Sequence, residues 1–144
     1  MDWTLELVTV PVADLDRSIA FYRDQVGFTL DHDIRNDYMT AAQLTPRGSG
    51  CSIVIGSIPS DRPMAPGSLS GLQLVVSDAR AARDDLVSRG VDASEISVVD
   101  PRDGGTFFGF RDPDGNSWVV QQIAARAEKP LIPRPAEETR PSHL

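Results

Sequence analysis

The sequence holds one cysteine, Cys51, two histidines, His32 and His143, and no apolar run near the roughly 20 residues that a membrane-spanning helix needs. A lone cysteine closes no internal disulfide and builds no Cys-based zinc site, so Cys51 reads as a small buried thiol in a strand. Positive charge is also scarce. There are 14 Lys and Arg against 21 Asp and Glu, a net charge of −7. That balance repels phosphate backbones, and no local basic cluster offsets it, so nucleic acid is not an expected partner. The opening stretch "MDWTLELV" has neither a basic region nor a long apolar segment. No secretory signal is expected from it, and a cytoplasmic protein without a membrane partner is the expectation.

What is present suits one domain: 144 residues, 40% of them hydrophobic, are enough for a single core. Leu5 to Val12 is strand-like and stops at Asp14, which can cap a helix running to about Gln25. Leu15, Ile19, Tyr22 and Val26 follow helical spacing, and Gly27 fits the stop. Strands are predicted over 28–34, 39–44 and 52–56. Residues 57–69 have the proline and glycine content of a linker. The order then restarts with a strand over 71–76, an Asp78 cap, a helix to about Ser88, and strands over 95–99, 106–110 and 117–123.

Val12-Ala13-Asp14 matches Val76-Ser77-Asp78 at an offset of 64 residues (78 − 14), and the elements on either side recur in the same order. This is an internal duplication of a βαβββ unit. Two copies of half-chain length argue for a paired-module domain and not for a solenoid. The domain is predicted over 1–126, with module one at 4–56 and module two at 70–123. Residues 127–144, with four prolines, read as a C-terminal tail. Near the end, "FGFRDPDGNSWVVQQ" places two apolar runs around Asp112-Pro113-Asp114-Gly115-Asn116, the composition of a β-hairpin turn.

"VPVADLDRSIAFYRDQVGF" in the first half and "FRDPDGNSWVVQQI" in the second, together with the duplicated order, resemble the vicinal oxygen chelate superfamily. That group holds glyoxalase I, bleomycin-resistance proteins, fosfomycin-resistance proteins and extradiol dioxygenases. The resemblance implies an α+β fold of two tandem βαβββ modules, a curled mixed sheet with a cavity on one face and helices on the other, and a homodimer. In metal-using members a His on the first strand falls at the position of Leu7, its counterpart in the second half at Gly71, and a Glu at Val119. The strand "CSIVIG" offers no His, Asp or Glu either. These residues supply no donors for a divalent ion, so neither metal nor cofactor is expected. His32 stands between Asp31 and Asp33, whose side chains alternate across a strand, and His143 lies in the tail. Neither occupies a family ligand position.

If position 7 faces the cavity, so do Thr9, Gln73, Val75, Ser117 and Gln121. The predicted wall is neutral, mostly apolar with a few amides and hydroxyls, which is the make-up of a small-molecule pocket. Tyr38, Met39 and Phe108 are further candidates for stacking on a planar guest, and Gln43 is a further amide. The ligand-binding candidates are therefore Leu7, Thr9, Tyr38, Met39, Gln43, Gly71, Gln73, Phe108, Val119 and Gln121. Trp118, opposite in parity to Val119, is expected under a helix. No nucleophile stands near a histidine in the sequence, and acid–base work by Glu6, Asp33, Asp37 or Glu95 stays open, although Glu6 should point away from the wall. The leading expectation is a metal-free protein that holds a hydrophobic or aromatic small molecule, as bleomycin-resistance proteins sequester an antibiotic. The alternative is a cofactor-independent isomerase, lyase or cyclase in the same cavity.

Overall fold

Two four-stranded mixed sheets organise the chain, one from each half of the sequence. The computed structural model describes residues 1–130. The first module runs β1 (Leu7–Val10), α1 (Leu15–Ala20), a π turn (Phe21–Val26), β2 (Thr29–Arg35), β3 (Thr40–Thr45) and β4 (Ser52–Ser57). The second runs β5 (Leu72–Val76), α2 (Ala79–Ser88), β6 (Ser97–Val98), β7 (Thr106–Arg111) and β8 (Ser117–Gln122), followed by a 3-10 turn over Ala124–Ala127. The spatial orders are β1-β4-β3-β2 and β5-β8-β7-β6. In each module the first and last strands pair in parallel, and hairpins join the rest antiparallel. The fold is therefore α+β with two βαβββ modules. Residues 131–144, most of the predicted tail and with it His143, lie outside the described residues.

Each helix starts on an aspartate in extended conformation. The Asp14 carboxylate accepts from the Arg17 amide at 3.1 Å, and that of Asp78 from the Ala81 amide at 3.0 Å. The first helix does not run regularly to Gln25. Over Phe21–Val26 it widens into a π turn, closed when the Gly27 amide donates to the Tyr22 carbonyl and Gly27 takes φ +96°. A π turn rotates less per residue than an α-helix, so consecutive side chains can share one face. Phe21 and Tyr22 do so: both are buried, with ring centroids 5.1 Å apart in an edge-on arrangement.

The core is continuous between the modules. Val10, Ile53, Ile55, Ala42 and Leu44 from the first sheet and Phe108, Phe110, Trp118 and Val120 from the second join Ile19, Phe21, Tyr22, Ala79 and Leu86 in one cluster. Phe110 and Trp118 stack at 6.0 Å, and Trp118 meets both Tyr22 and Phe28 at 5.8 Å. A reciprocal pair ties the helix ends: Gln25 Nε2 donates to the Arg89 carbonyl at 3.0 Å and Arg89 Nε to the Gln25 carbonyl at 2.6 Å. Those two positions are 64 residues apart (89 − 25), so the duplication is also an approximate twofold in space.

The expected pair of βαβββ modules is formed, each with its own four-stranded mixed sheet, and the core-facing sides of both sheets meet in one cluster. β6 is two residues long where five were expected, because residues on either side of Ser97–Val98 leave the ladder with β7. No helix among the described residues is long and apolar enough to cross a membrane.

Candidate functional site

Because Val10, Ile53, Ile55, Trp118 and Val120 fill the core, alternation turns their strand neighbours to the opposite, open faces of the two sheets. On the first sheet Leu7 stands beside Ser52, Thr9 beside Val54, and Val54 beside Gln43. On the second, Gln73 stands beside Val119, Val75 beside Gln121, and Gln121 beside Phe107. The middle of each open face is thus neutral, and charge enters at the margins with Asp31 on one sheet and Arg111 on the other. Leu7 and Val119 are 38% and 37% exposed, so neither is fully covered by the described residues.

The residues expected to line one cavity are carried by two different sheets. Leu7, Thr9 and Gln43 belong to the first sheet, and Gly71, Gln73, Val119 and Gln121 to the second. In five cavities among the described residues, open-face strand residues of the two sheets do not meet. Gln73 and Gln121 do join: Gln73 Nε2 donates to Gln121 Oε1 at 2.6 Å, and Gln121 Nε2 donates to the Gly104 carbonyl at 2.7 Å. Gly71 takes φ +90° just before β5, and nothing lies within 4 Å of where a Cβ would stand.

Phe108 is not on the open face. It is 3% exposed and packs in the core, since its partner across the hairpin is Val120. Phe107, paired with Gln121, takes the open side instead. The register that follows from the 112–116 turn is the signal that distinguishes the two. Tyr38 is 86% exposed at the β2–β3 turn, where its amide donates to Asn36 Oδ1, and half-buried Met39 follows it in that turn.

A bulge in β2 also alters the reading of "DHD". The pairing slips between Leu30 and His32, so His32 stands beside Gln43, and the Asp31 carboxylate accepts a hydrogen bond from Thr45 Oγ1. Thr45 Oγ1 is in turn 2.7 Å from Ser52 Oγ, next to Leu7. Sequence reasoning missed this Asp31–Thr45–Ser52 chain, because strict alternation separates residues that a bulge brings to one side.

The built cavity on the first open face has a volume of about 440 Å³ and lies where the linker arches over the ends of β1 and β4. Thr9, Gly56, Ile58, Pro59, Arg62 and Met64 are among its lining residues. The far end of the arch is fixed: the Gly67 amide donates to the Pro11 carbonyl at 3.1 Å, and a Cβ at Gly67 would stand 2.0 Å from the Asp114 carbonyl oxygen. Among the described residues, no carboxylate, tyrosine or histidine lines this cavity. A divalent ion at the family position does not fit, because Leu7, Gly71 and Val119 present no donor atom there. Among the described residues, no three His, Cys, Asp or Glu side chains group so as to hold an ion.

Residues 4–120 match the model of the Glyoxalase/Bleomycin resistance protein/Dioxygenase superfamily. No protein of curated function matches the chain. Among solved structures, it is 32% identical to TnmS3, an antibiotic binding protein from Streptomyces sp. CB03234, over 85% of this chain and 97% of that one, with a TM-score of 0.72. A glyoxalase/bleomycin resistance protein from the same organism is 33% identical over 83% and 100% of the two chains, with a TM-score of 0.69. UcmS2 is 25% identical over 84% and 98%, with a TM-score of 0.71. With the duplicated modules, the two-sheet topology and this match together, the chain belongs to the glyoxalase/bleomycin resistance/dioxygenase superfamily.

Proposed function

We propose that the protein binds a hydrophobic or aromatic small molecule without metal and without converting it, and that it sequesters an antibiotic or similar compound. The observation that carries this reading is the chemistry of the open faces: aliphatic Leu7, Val54, Val75 and Val119 interleaved with Thr9, Gln43, Gln73 and Gln121. Apolar area holds the guest, and a few amides and hydroxyls fix its orientation. The lining of the 440 Å³ cavity lacks the carboxylate, tyrosine or histidine on which acid–base turnover would rest, which favours holding over conversion. The likeness to TnmS3, itself named as an antibiotic binding protein, points the same way.

A second copy completes the site in this reading. Trp3 and Leu5 precede Leu7 at alternate positions and are 87% and 69% exposed, so an apolar strip runs along the edge strand β1. A homodimer that lays the second sheet of one protomer over the first sheet of its partner covers that strip and joins the two amide-bearing faces. A fluorescence and thermal-shift screen of aromatic antibiotics and metabolites tests the binding. The expected result is one ligand per cavity, recovered unchanged; turnover by purified protein in the presence of a chelator overturns the reading. Sedimentation is expected to give a dimer at micromolar concentration, and a monomer for both the full chain and a chain lacking 127–144 refutes the assembly.

A further inference from the structure

Among the described residues, Arg62 is the one charged side chain lining the 440 Å³ cavity, in a protein whose net charge is −7. The described residues form six ion pairs, and Arg62 is in none of them. The rest of the lining named above is hydroxyl, backbone and apolar. A guest in this cavity therefore meets a wall of mixed polarity and one exposed cation that pairs with no carboxylate among the described residues.

The backbone of the linker that carries Arg62 is held in place. Ser60 Oγ accepts from the Arg62 amide at 3.1 Å, Pro59 and Pro63 restrict the backbone on both sides, and the Gly67 contact with Pro11 fixes the arch to β1. A guanidinium presents a planar fork of donors that matches a carboxylate or sulfonate in two parallel hydrogen bonds, and its flat face also lies well on an aromatic ring. Asp61 precedes Arg62, yet a neighbour in sequence competes only where its side chain turns to the same side, and no pair between them forms.

We infer that Arg62 selects the guest: the pocket takes aromatic molecules that carry one anionic group, and Arg62 receives that group while Thr9, Ile58 and Met64 take the apolar body. This rests on the binding function proposed above and names the ligand class for it. In a net-negative protein the selection is not a general attraction for anions; it is local to the arch.

Two probes of nearly the same shape separate the effects: 8-anilinonaphthalene-1-sulfonate and its uncharged parent, N-phenyl-1-naphthylamine, titrated by fluorescence against the folded full-length protein. The expected result is that the sulfonate binds the wild type roughly tenfold tighter than the parent. Arg62→Gln is expected to remove most of that preference while leaving the parent within about twofold, and Arg62→Lys to keep part of it. Arg80→Gln, at an exposed arginine that lines none of the cavities described, removes the same charge and is expected to leave both probes unchanged. If the parent binds but the sulfonate gains nothing, or if Arg80→Gln acts like Arg62→Gln, the inference is overturned and the binding function stands. If neither probe binds, the pocket itself is not a site for aromatic guests, and the binding function falls with the inference.

Discussion

The phenol oxygen of Tyr22 lies 2.7 Å from Oδ2 of Asp112, ninety residues along the chain, and accepts the indole N–H of Trp118 at 3.0 Å. All three side chains are buried, at 0%, 5% and 3% exposure. Oδ1 of Asp112 meanwhile accepts from the amides of Asp114, Gly115 and Asn116. One carboxylate thus shapes the 112–116 turn of the second module and anchors it to the π turn of the first. Tyr22→Phe leaves the Trp118 N–H unpartnered and removes a donor from Asp112, and is expected to cost about 1–3 kcal/mol in denaturant unfolding with an unchanged m-value.

The same phenol predicts a pH dependence. Burial, then the hydrogen bond and charge of Asp112, push the Tyr22 hydroxyl well above the ordinary tyrosine value of 10.0. The folded protein keeps the proton where the unfolded chain releases it. The stabilisation is therefore fully present below about pH 10 and falls as pH rises toward the folded value, with a slope of about 1.4 kcal/mol per unit. Unfolding measured from pH 8 to 11 is expected to show that decline in the wild type and a shallower one in Tyr22→Phe. Equal slopes in the two proteins count against a protonated, buried Tyr22.

Asn116 closes the turn from the other side. Its Nδ2 donates to the Pro11 carbonyl at 2.8 Å and to Asp112 Oδ2 at 2.7 Å, and its Oδ1 accepts from the Leu69 amide at 3.0 Å. It is fully buried. Asn116→Ala strands all three groups and is expected to destabilise the protein by about 2–4 kcal/mol, read as a fall in thermal midpoint. Asn116→Asp keeps the acceptor for Leu69 but sets a second carboxylate against Asp112, and is expected to be worse at pH 7 than at pH 4 relative to the wild type.

Gly67→Ala tests how the linker is held. Gly67 takes φ +79°, and the added methyl meets the Asp114 carbonyl oxygen at a separation no real contact tolerates. The expected cost is about 1–3 kcal/mol, with faster hydrogen exchange over 57–69 and weaker binding of any guest in the cavity beneath. Unchanged exchange in this segment means that the Gly67–Pro11 contact does not hold the arch.

Val119→Glu separates fold from site. Within one chain Val119 is partly exposed and lies on a different sheet from Leu7, so the carboxylate is not forced into burial against Leu7. The variant is expected to fold with stability within about 0.5 kcal/mol of the parent, to bind no metal, and to lose both ligand affinity and dimerisation, because a partner's sheet would bury an unpaired charge. Full ligand affinity in Val119→Glu shows that position 119 lies outside the site.

The sequence by itself determined the duplication, the module order, the Asp-capped helices and the absence of metal donors at positions 7, 71 and 119. These rest on patterns a few residues long: apolar periods, caps and turn chemistry, which the chain expresses locally. Parity along a strand was equally legible, so Leu7 with Thr9, and Gln73 with Val75, were correctly sorted to common faces. Which face looks outward was not always legible, as Phe108 shows: only its pairing with Val120 and the company of Trp118 assign it to the core. Nor did alternation foresee the β2 bulge that sets Asp31 against Thr45. Tertiary structure alone decided that the two sheets share one core and leave their neutral faces outward, because that outcome depends on contacts such as Tyr22 to Asp112, between residues whose nearness no local pattern encodes.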